Sequence, residues 1–346
     1  MAVRTAGLVV TAAPRAVGVR TPWSGVPERV RSWVERELGS PVVETADQVG
    51  GMSPGCATRL RCADGTRAFV KAVGADLNPH TPTLFRREVR TLGLIGAHRL
   101  WARLLASLDE GESREDGWVA LLLEDVPGLH PDLSTDAARD RLTAATDELG
   151  AVLRERVPAL PAPDPARGLA EIAGERAVVE AWSHGLDHAA EVAAEAPDLM
   201  PRWVGERADE LRDAVRRLAQ ACTEDRLAHW DIRDDNLRTR ADGSIVFVDW
   251  GGTLRGSAWT DPLIARLEGV ELDWFDRSVA GSPALQDLGE DLVTAFLVMI
   301  GSWLGYRAHT AVDMNLPTLN AFRRTESARF LLGAGRRLGE TARRSI

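Results

Sequence analysis

The spacing of apolar residues predicts one helix near the start of the chain and short strands after it. Residues 27–39 carry apolar side chains at the interval of an amphipathic helix, with proline at the start and glycine at the end. Asp64-Gly65 predicts a hairpin turn, and 82–95 predicts a second helix. Around them, short extended runs predict strands at 41–50, 57–63, 66–73, 103–109 and 117–123.

Helical periodicity dominates the second half of the chain. One predicted hairpin, 237–249 with an Asp242-Gly243 turn, interrupts it. The most apolar stretch, 292–304, contains Thr294 and Ser302 and is too short for a membrane span, so we interpret it as a buried helix. Segments rich in alanine, glutamate, arginine and leucine predict helices near 134–155, 167–190, 203–222, 284–304 and 317–338.

These elements predict an α+β fold with two lobes. A small antiparallel β-sheet lobe with a helix is expected over 26–123, a hinge over 124–128, and a larger, mostly helical lobe over 129–346. Residues 1–25 are expected to form a flexible extension. The apolar run at 6–13 is too short for the core of a signal peptide, so secretion is not expected.

Composition and charge narrow the class of protein. The chain has 346 residues, 45% of them hydrophobic, and a net charge of −9. This acidic balance argues against a nucleic-acid or anionic-membrane partner. The three cysteines, Cys56, Cys62 and Cys222, lack the spacing of metal ligands and are expected to be packing residues in a reduced setting. We therefore expect a cytoplasmic protein.

Lys71 is the one lysine among 42 basic residues. A compact ammonium on a flexible stem binds a phosphate as a point charge, which a guanidinium does less well. The alternative is that lysine is rare in this arginine-rich composition and stands here by accident. A second motif further along the chain argues against the accident.

That motif is H-x-D-x-x-x-x-N, formed by His229, Asp231 and Asn236, and an apolar strand ending in Asp-x-Gly at Asp249 follows it. The combination is typical of a phosphoryl-transfer site. Asp231 is expected to accept the proton of an acceptor hydroxyl. Asn236 and Asp249 are expected to offer oxygen ligands to Mg²⁺. We assign His229 a structural role in the loop.

A glycine-rich segment at 49–55 and Glu88 complete the predicted site. The segment lies between two predicted strands, where backbone N–H groups can approach a triphosphate, although such a segment alone is more typical of a plain turn. Its predicted nucleotide-binding residues are Gly50, Gly51, Ser53 and Gly55. Glu88 is expected to pair with Lys71; the alternative is a solvated acid beside three arginines.

With these motifs the chain resembles the aminoglycoside phosphotransferase family of small-molecule kinases, which have a protein-kinase-like fold. The resemblance covers about 42–267 and is carried by the glycine-rich hairpin with 69–72, the hinge 122–128, and 229–251 followed by Asp261-Pro262. It implies a bilobal fold and transfer of the γ-phosphate of ATP, with Mg²⁺, to a hydroxyl of a small molecule.

The resemblance also implies roles for individual residues. The backbone carbonyl of Glu124 and the N–H of Val126 would hold the adenine edge. Asp231 would be the catalytic base, and Asn236 and Asp249 the magnesium ligands. Family members act on antibiotics as well as on metabolites, so antibiotic resistance and metabolism both stay open as biological roles.

Three features leave the acceptor undetermined. Trp230 replaces the glycine usual in the family, and it either packs in the lobe core, which we favour, or lines the acceptor site. Asp234-Asp235 either favours a cationic acceptor or is solvated loop surface. Between 256 and 300 there are eight acids and two arginines, which suits an amine-bearing acceptor or simply reflects an acidic protein.

Two other functions compete with the kinase hypothesis. A catalytically silent, kinase-like nucleotide-binding module would usually lack the base, the lysine or the metal-binding acid, and all three are present here. A protein kinase is disfavoured because Gly251 and Asp261 are ten residues apart, which leaves no room for a long activation loop.

Overall fold

The computed structural model describes residues 16–340 except 112–115, 165, 167–170 and 312–315, so the apolar run at 6–13 lies outside the described residues. The strands are β1 (Val42–Asp47), β2 (Cys56–Cys62), β3 (Arg67–Gly74), β4 (Leu104–Asp109), β5 (Trp118–Glu124), β6 (Arg226–Ala228), β7 (Leu237–Thr239), β8 (Ile245–Phe247) and β9 (Leu254–Gly256). The helices are α1 (Glu28–Leu38), α2 (Thr81–Ile95), α3 (Asp136–Arg156), α4 (Glu175–Asp187), α5 (Ala189–Glu195), α6 (Arg202–Glu206), α7 (Ala208–Gln220), α8 (Thr260–Arg266), α9 (Asp273–Ala280), α10 (Pro283–Leu288), α11 (Glu290–Thr310) and α12 (Leu319–Arg337).

The chain divides into two compact units at positions that differ from the predicted boundaries. The prediction assigned everything after the hinge to the helical lobe, whereas the β7–β8 hairpin belongs to the first unit. It does so because Thr239 N–H donates to the carbonyl of Leu129 and Phe247 N–H to that of Leu100. Of the described residues, the first unit comprises those within 16–131, 234–252 and 316–318, and the second those within 132–233, 253–311 and 319–340.

A five-stranded antiparallel sheet organises the first unit, in the order β1-β2-β3-β5-β4. The predicted Asp64-Gly65 turn joins β2 to β3, and Gly65 has the positive φ of 89° that this turn requires. The apolar stripe of α1, including Trp33 and Val34, packs against the buried faces of β2, β3 and β5. Lys71 therefore lies on the central strand of the sheet.

The segment 16–25, predicted as part of a flexible extension, is packed within the first unit. Val17 forms bridges with Gly50 and Gly51, and the Trp23 side chain is buried. Backbone pairing over so few residues has no periodic signature, so the apolar pattern does not reveal it.

Helices make up most of the second unit, which confirms the predicted α+β class. The predicted buried helix lies in α11, which packs against α4, α7 and α12. Three predicted helices are each split, at His188, Arg207 and Gly289, and α8 and α9 form where no helix was predicted. In the part of the chain that the structure describes, no helix has the length and apolar character needed to cross a membrane.

Candidate active site

Lys71 contacts Glu88, its predicted partner, and also Asp249, which was predicted as a magnesium ligand. Its Nζ lies 2.5 Å from Oε2 of Glu88, on α2, and 2.9 Å from Oδ1 of Asp249, just beyond β8. The other carboxylate oxygen of Glu88 accepts the backbone N–H of Trp250 at 3.3 Å. The alternative of a solvated Glu88 is wrong, because its side chain is 1% exposed.

The charges of this cluster depend on one another. Burial lowers the pKa of Lys71, but the carboxylates of Asp249 and Glu88 outweigh burial, so the pKa lies above its ordinary value. Burial raises the pKa of the Glu88 carboxyl, and the Lys71 ammonium opposes that rise. The cluster thus holds a fixed ammonium between two acids.

Asp249 has an unusual backbone conformation for its residue type. Its φ is 65°, in the left-handed region that non-glycine residues rarely occupy. Its side chain is 39% exposed, whereas that of Lys71 is 7% exposed. Strained backbone of this kind often occurs at functional sites, where surrounding structure holds it in place.

Lys71, Glu88 and Asp249 line a cleft of the first unit together with other predicted residues. Glu124 and Val126 of the predicted hinge line it, and so does Asn236. The apolar lining suits the flat face of a nucleobase and includes Ala57, Phe69, Leu92, Ala102, Leu123, Val126, Val248 and Trp250. One cleft therefore brings together the predicted lysine, hinge residues and oxygen ligands.

The glycine-rich segment is arranged differently from the prediction. Gly50 and Gly51 line the cleft, whereas Ser53 and Gly55 are not among its described lining residues. The N–H of Gly51 donates to the carbonyl of Ala16 at 2.9 Å, and that of Gly55 to Oγ of Ser53 at 3.2 Å. These two N–H groups are therefore engaged within the protein.

Three arginines line the cleft that the sequence interpretation did not select: Arg20, Arg59 and Arg238. Arg238 is 9% exposed, and its Nη1 has no hydrogen-bond partner among the described residues. Burial, with a smaller effect from Arg59, lowers its pKa to about 10. One signal was available, since Arg238 lies in the predicted hairpin, two residues after the predicted site residue Asn236.

The predicted loop of the second unit is held by Asp261. Its two carboxylate oxygens accept the backbone N–H groups of His229 at 2.8 Å and Trp230 at 2.9 Å. Burial raises the pKa of Asp261, and nearby His229 opposes the rise. His229 is fully buried, and its Nδ1 accepts the N–H of Asp231 at 3.3 Å, the kind of contact expected of a structural residue.

Asp231, the predicted base, is partly exposed and lies 3.3 Å from Nε of Arg233. Trp230 has a φ of 69° and packs half-buried against Trp182 and Phe296, with ring centroids 5.6 and 6.1 Å away. Packing of Trp230 is thus observed. Asp235 is buried and lines the cleft of the first unit, so the interpretation of Asp234-Asp235 as solvated loop surface is wrong for Asp235.

The acid-rich segment 256–300 carries less uncompensated charge than its sequence suggested. Glu271 pairs with Arg329 at 2.9 Å and Asp273 with Arg336 at 2.5 Å. Asp276 and Glu290 both pair with Arg337, and Asp291 contacts Arg217. Arginines distant in sequence therefore neutralise much of this segment.

The side-chain oxygens of Asp249 and Asn236 in the cleft are of the chemical type that a nucleotide-bound magnesium ion takes as ligands. Mg²⁺ in such sites is held by one or two protein oxygens together with the substrate phosphates and water. Asp249 supplies a partly exposed carboxylate and Asn236 an amide oxygen on the same cleft. This donor set suits a site that the phosphates complete.

No protein-family model matches the chain, and no curated protein sequence does. Solved structures, in contrast, match the chain. The thermostable mutant of aminoglycoside phosphotransferase APH(4)-Ia in complex with AMP-PNP and hygromycin B is 15% identical, with a TM-score of 0.54 over 89% of this chain and 100% of that one. Choline kinase LicA from Streptococcus pneumoniae is 13% identical, with a TM-score of 0.53 over 88% and 98%. The predicted resemblance is confirmed at the level of the fold, and the chain has the fold of these small-molecule phosphotransferases.

Proposed function

We propose that this protein is an ATP- and Mg²⁺-dependent phosphotransferase that transfers the γ-phosphate to a hydroxyl of a small molecule. The observation that carries the proposal is the Lys71 ammonium, fixed by Glu88 and Asp249 inside a cleft with an apolar base-sized lining. Positioned cations and oxygen ligands are what phosphoryl transfer asks of a protein.

Six predicted site residues that line the cleft each have a proposed task. Lys71 binds the α- and β-phosphates, and Glu88 holds the ammonium in place. Glu124 and Val126 bind the adenine edge through their backbone. Asn236 and Asp249 hold Mg²⁺, which when bound neutralises negative charge on the phosphates.

Asp231 acts as the general base for the acceptor hydroxyl. Asp261 fixes the backbone on the N-terminal side of Asp231 through the N–H groups of His229 and Trp230. A carboxylate held in this way loses less orientational freedom when it accepts the proton, which favours the reaction. Nε of Arg233 lies 3.3 Å from Oδ1 of Asp231.

The acceptor is a small molecule with a hydroxyl, and candidate classes come from the proteins of similar fold. One was solved with hygromycin B and another is a choline kinase. The cationic-acceptor hypothesis based on 256–300 loses support because arginines pair with many of its acids.

Cys56, Cys62 and Cys222 are buried free thiols, which supports a reduced, cytoplasmic setting.

The test is ADP release with ATP and Mg²⁺ against a panel of aminoglycosides including hygromycin B, amino sugars, choline and other antibiotics. We expect at least one acceptor to give turnover. Asp231→Ala should lower that turnover by roughly 10²–10⁴, the usual contribution of a general base, while ATP affinity stays near wild type. Asp225→Ala, an exposed acid near the same loop, is the matched control. An Asp231→Ala enzyme with wild-type turnover would remove the base assignment.

A further inference from the structure

The N-terminal segment 16–20 is built onto the glycine-rich segment of the cleft. Gly51 N–H donates to the carbonyl of Ala16, and Val17 bridges Gly50 and Gly51. Close contact continues past Gly18, where a Cβ would lie 2.7 Å from the carbonyl oxygen of Gly51. Thr21 N–H then donates to the carbonyl of Pro54 at 2.9 Å. The segment therefore follows the glycine-rich backbone across its length.

This pairing changes what the glycine-rich backbone offers to a ligand. The N–H groups of Gly51 and Gly55 donate to the carbonyl of Ala16 and the hydroxyl of Ser53. The carbonyls of Gly50 and Gly55 accept from Arg20 instead. A site for phosphates on this side of the cleft thus needs a donor other than these two N–H groups.

Arg20 has the donors and the position for that task. Its Nε donates to the carbonyl of Gly50 at 2.7 Å and its Nη1 to that of Gly55 at 3.4 Å, while Nη2 also donates to Gly50. A guanidinium carries five N–H groups, so three such bonds leave two of them. The side chain lines the same cleft as Lys71 and Asp249.

The electrostatic surroundings support a cation that faces the cleft. Burial lowers the pKa of Arg20, and the carboxylates of Asp249 and Asp235, both cleft-lining acids, oppose that effect. A guanidinium is nevertheless charged under all ordinary conditions. Arg20 and Lys71 therefore both place positive charge near Asp249, at the end of the cleft where the proposed function requires phosphates.

We propose that Arg20 is a phosphate-binding residue of the nucleotide site, and that 16–20 is a functional part of this site. The proposal rests on the proposed function, because it assumes a nucleoside triphosphate as the ligand. A guanidinium anchored on two carbonyls presents its remaining N–H groups in a fixed plane, which suits phosphate oxygens. Arg20 then supplies the contact that the engaged glycine N–H groups do not.

The test measures the Kd of ATP, ADP and adenosine by calorimetry with Mg²⁺ present, for the full chain and its variants. Arg20→Ala should weaken ATP binding by about 10- to 100-fold, the range for losing charge-assisted hydrogen bonds. Adenosine lacks phosphates, so its Kd should stay within about twofold of wild type. Arg20→Lys keeps the charge without the planar fork, so its Kd for ATP should lie between those of wild type and Arg20→Ala. Arg36→Ala, an exposed arginine of α1, should match wild type.

The outcomes separate the two proposals. If wild type binds neither ATP nor ADP, the proposed function fails and the role of Arg20 fails with it. If wild type binds ATP and Arg20→Ala binds it equally well, only the Arg20 proposal is wrong, and Arg20 merely fastens the glycine-rich segment. Equal loss of ATP and adenosine would also indicate that structural role. Tighter ATP binding by Arg20→Ala would show that Arg20 obstructs the site. Thermal melts identify a variant that does not fold, and Arg20→Lys then decides the question.

Discussion

Two almost completely buried glutamates, one in each unit, are held in different ways. Glu88 in the first unit faces an ammonium, that of Lys71, and a backbone N–H. Glu175 in the second unit is 0% exposed and accepts the hydroxyls of Ser257 and Thr260. Burial raises the pKa of Glu175 to about 7, and these hydroxyls only partly offset it.

Glu88 holds a residue of the candidate site in place, whereas Glu175 stabilises the fold. A buried charge is tolerable when a countercharge and hydrogen bonds compensate it, and Glu88 has both. Glu175 lacks a cationic partner among its described contacts. Protonation of its carboxyl instead removes the free-energy cost of a buried charge. Its hydroxyl partners lie next to β9 and on α8, so it ties α4 to that region.

The largest expected effect comes from breaking the Glu88 arrangement with Lys71→Met. The change leaves two carboxylates near each other without their cation, and breaking a buried pair costs about 3–5 kcal/mol of stability. Urea unfolding measures this cost, and transfer to any acceptor found should be lost with it. Arg61→Lys, at the half-exposed pair of Arg61 with Glu44, is the control and should change little.

Lys71→Arg distinguishes charge from shape at the same position. The guanidinium keeps the charge but overfills a site that is 7% exposed, which typically costs 1–3 kcal/mol. Transfer should therefore remain severely reduced. Near-normal transfer would mean that the single lysine is a compositional accident after all.

Asp249→Asn tests the other acid of the cluster. The amide keeps the volume but removes the charge proposed to hold Mg²⁺, so transfer should fall by about 10²-fold or more, since a bound metal contributes several kcal/mol. The measurement is the rate as a function of Mg²⁺ concentration at saturating ATP. Asp109→Asn, an exposed acid on β4 paired with Arg86, is the control. An unchanged Mg²⁺ dependence would contradict the ligand role of Asp249.

The two glutamates also show which contacts could be predicted from the sequence and which could not. Lys71, Glu88 and Asp249 were predictable together because phosphoryl transfer demands these residue types in a recognisable order. Glu175 was not, since serine and threonine hydroxyls accept or donate almost anywhere and carry no spacing signal. The arginine partners of the acid-rich segment were missed for a related reason: they lie on α7 and α12, which only the tertiary fold brings near.

The sequence failed to predict the position of Arg20 for a different reason. Its role depends on backbone pairing between 16–20 and the glycine-rich segment, and a few bridges leave no hydrophobic period to detect. The strands and helices of the first unit were predicted because each has an apolar face. The path of the N-terminal segment was not.

Glu175→Gln tests the contrast between the two glutamates through the pH dependence of the free energy of unfolding. The pKa of Glu175 is about 7 in the folded protein against an ordinary 4.5. Below pH 4.5 both states are protonated, so Glu175 contributes nothing to the pH dependence there. Between pH 4.5 and 7 the unfolded state releases its proton first, so wild-type stability falls as pH rises, and above 7 the penalty is constant. Glutamine does not titrate.

The stability of Glu175→Gln relative to wild type should therefore rise by about 1–3 kcal/mol from pH 4.5 to 8, since one pKa unit corresponds to 1.36 kcal/mol. Urea unfolding at several pH values measures it, with Glu180→Gln, an exposed acid on the same helix, as control. A difference that stays constant across this range would show that Glu175 is ionised in the folded protein.

The smallest effect is expected at the acid-rich segment, where acids are paired and exposed. Glu271 and Asp273 face Arg329 and Arg336, and their side chains are 39% and 86% exposed. Exposed pairs contribute about 0–1 kcal/mol, so the double variant Glu271→Gln, Asp273→Asn should unfold within roughly 1 kcal/mol of wild type. Because the arginines already neutralise these acids, acceptor KM at saturating ATP should also stay within about twofold. A KM that rises in this variant, and rises in wild type with added salt, would instead indicate a cationic acceptor attracted by 256–300, since exposed charges are screened over about 8–10 Å at physiological ionic strength.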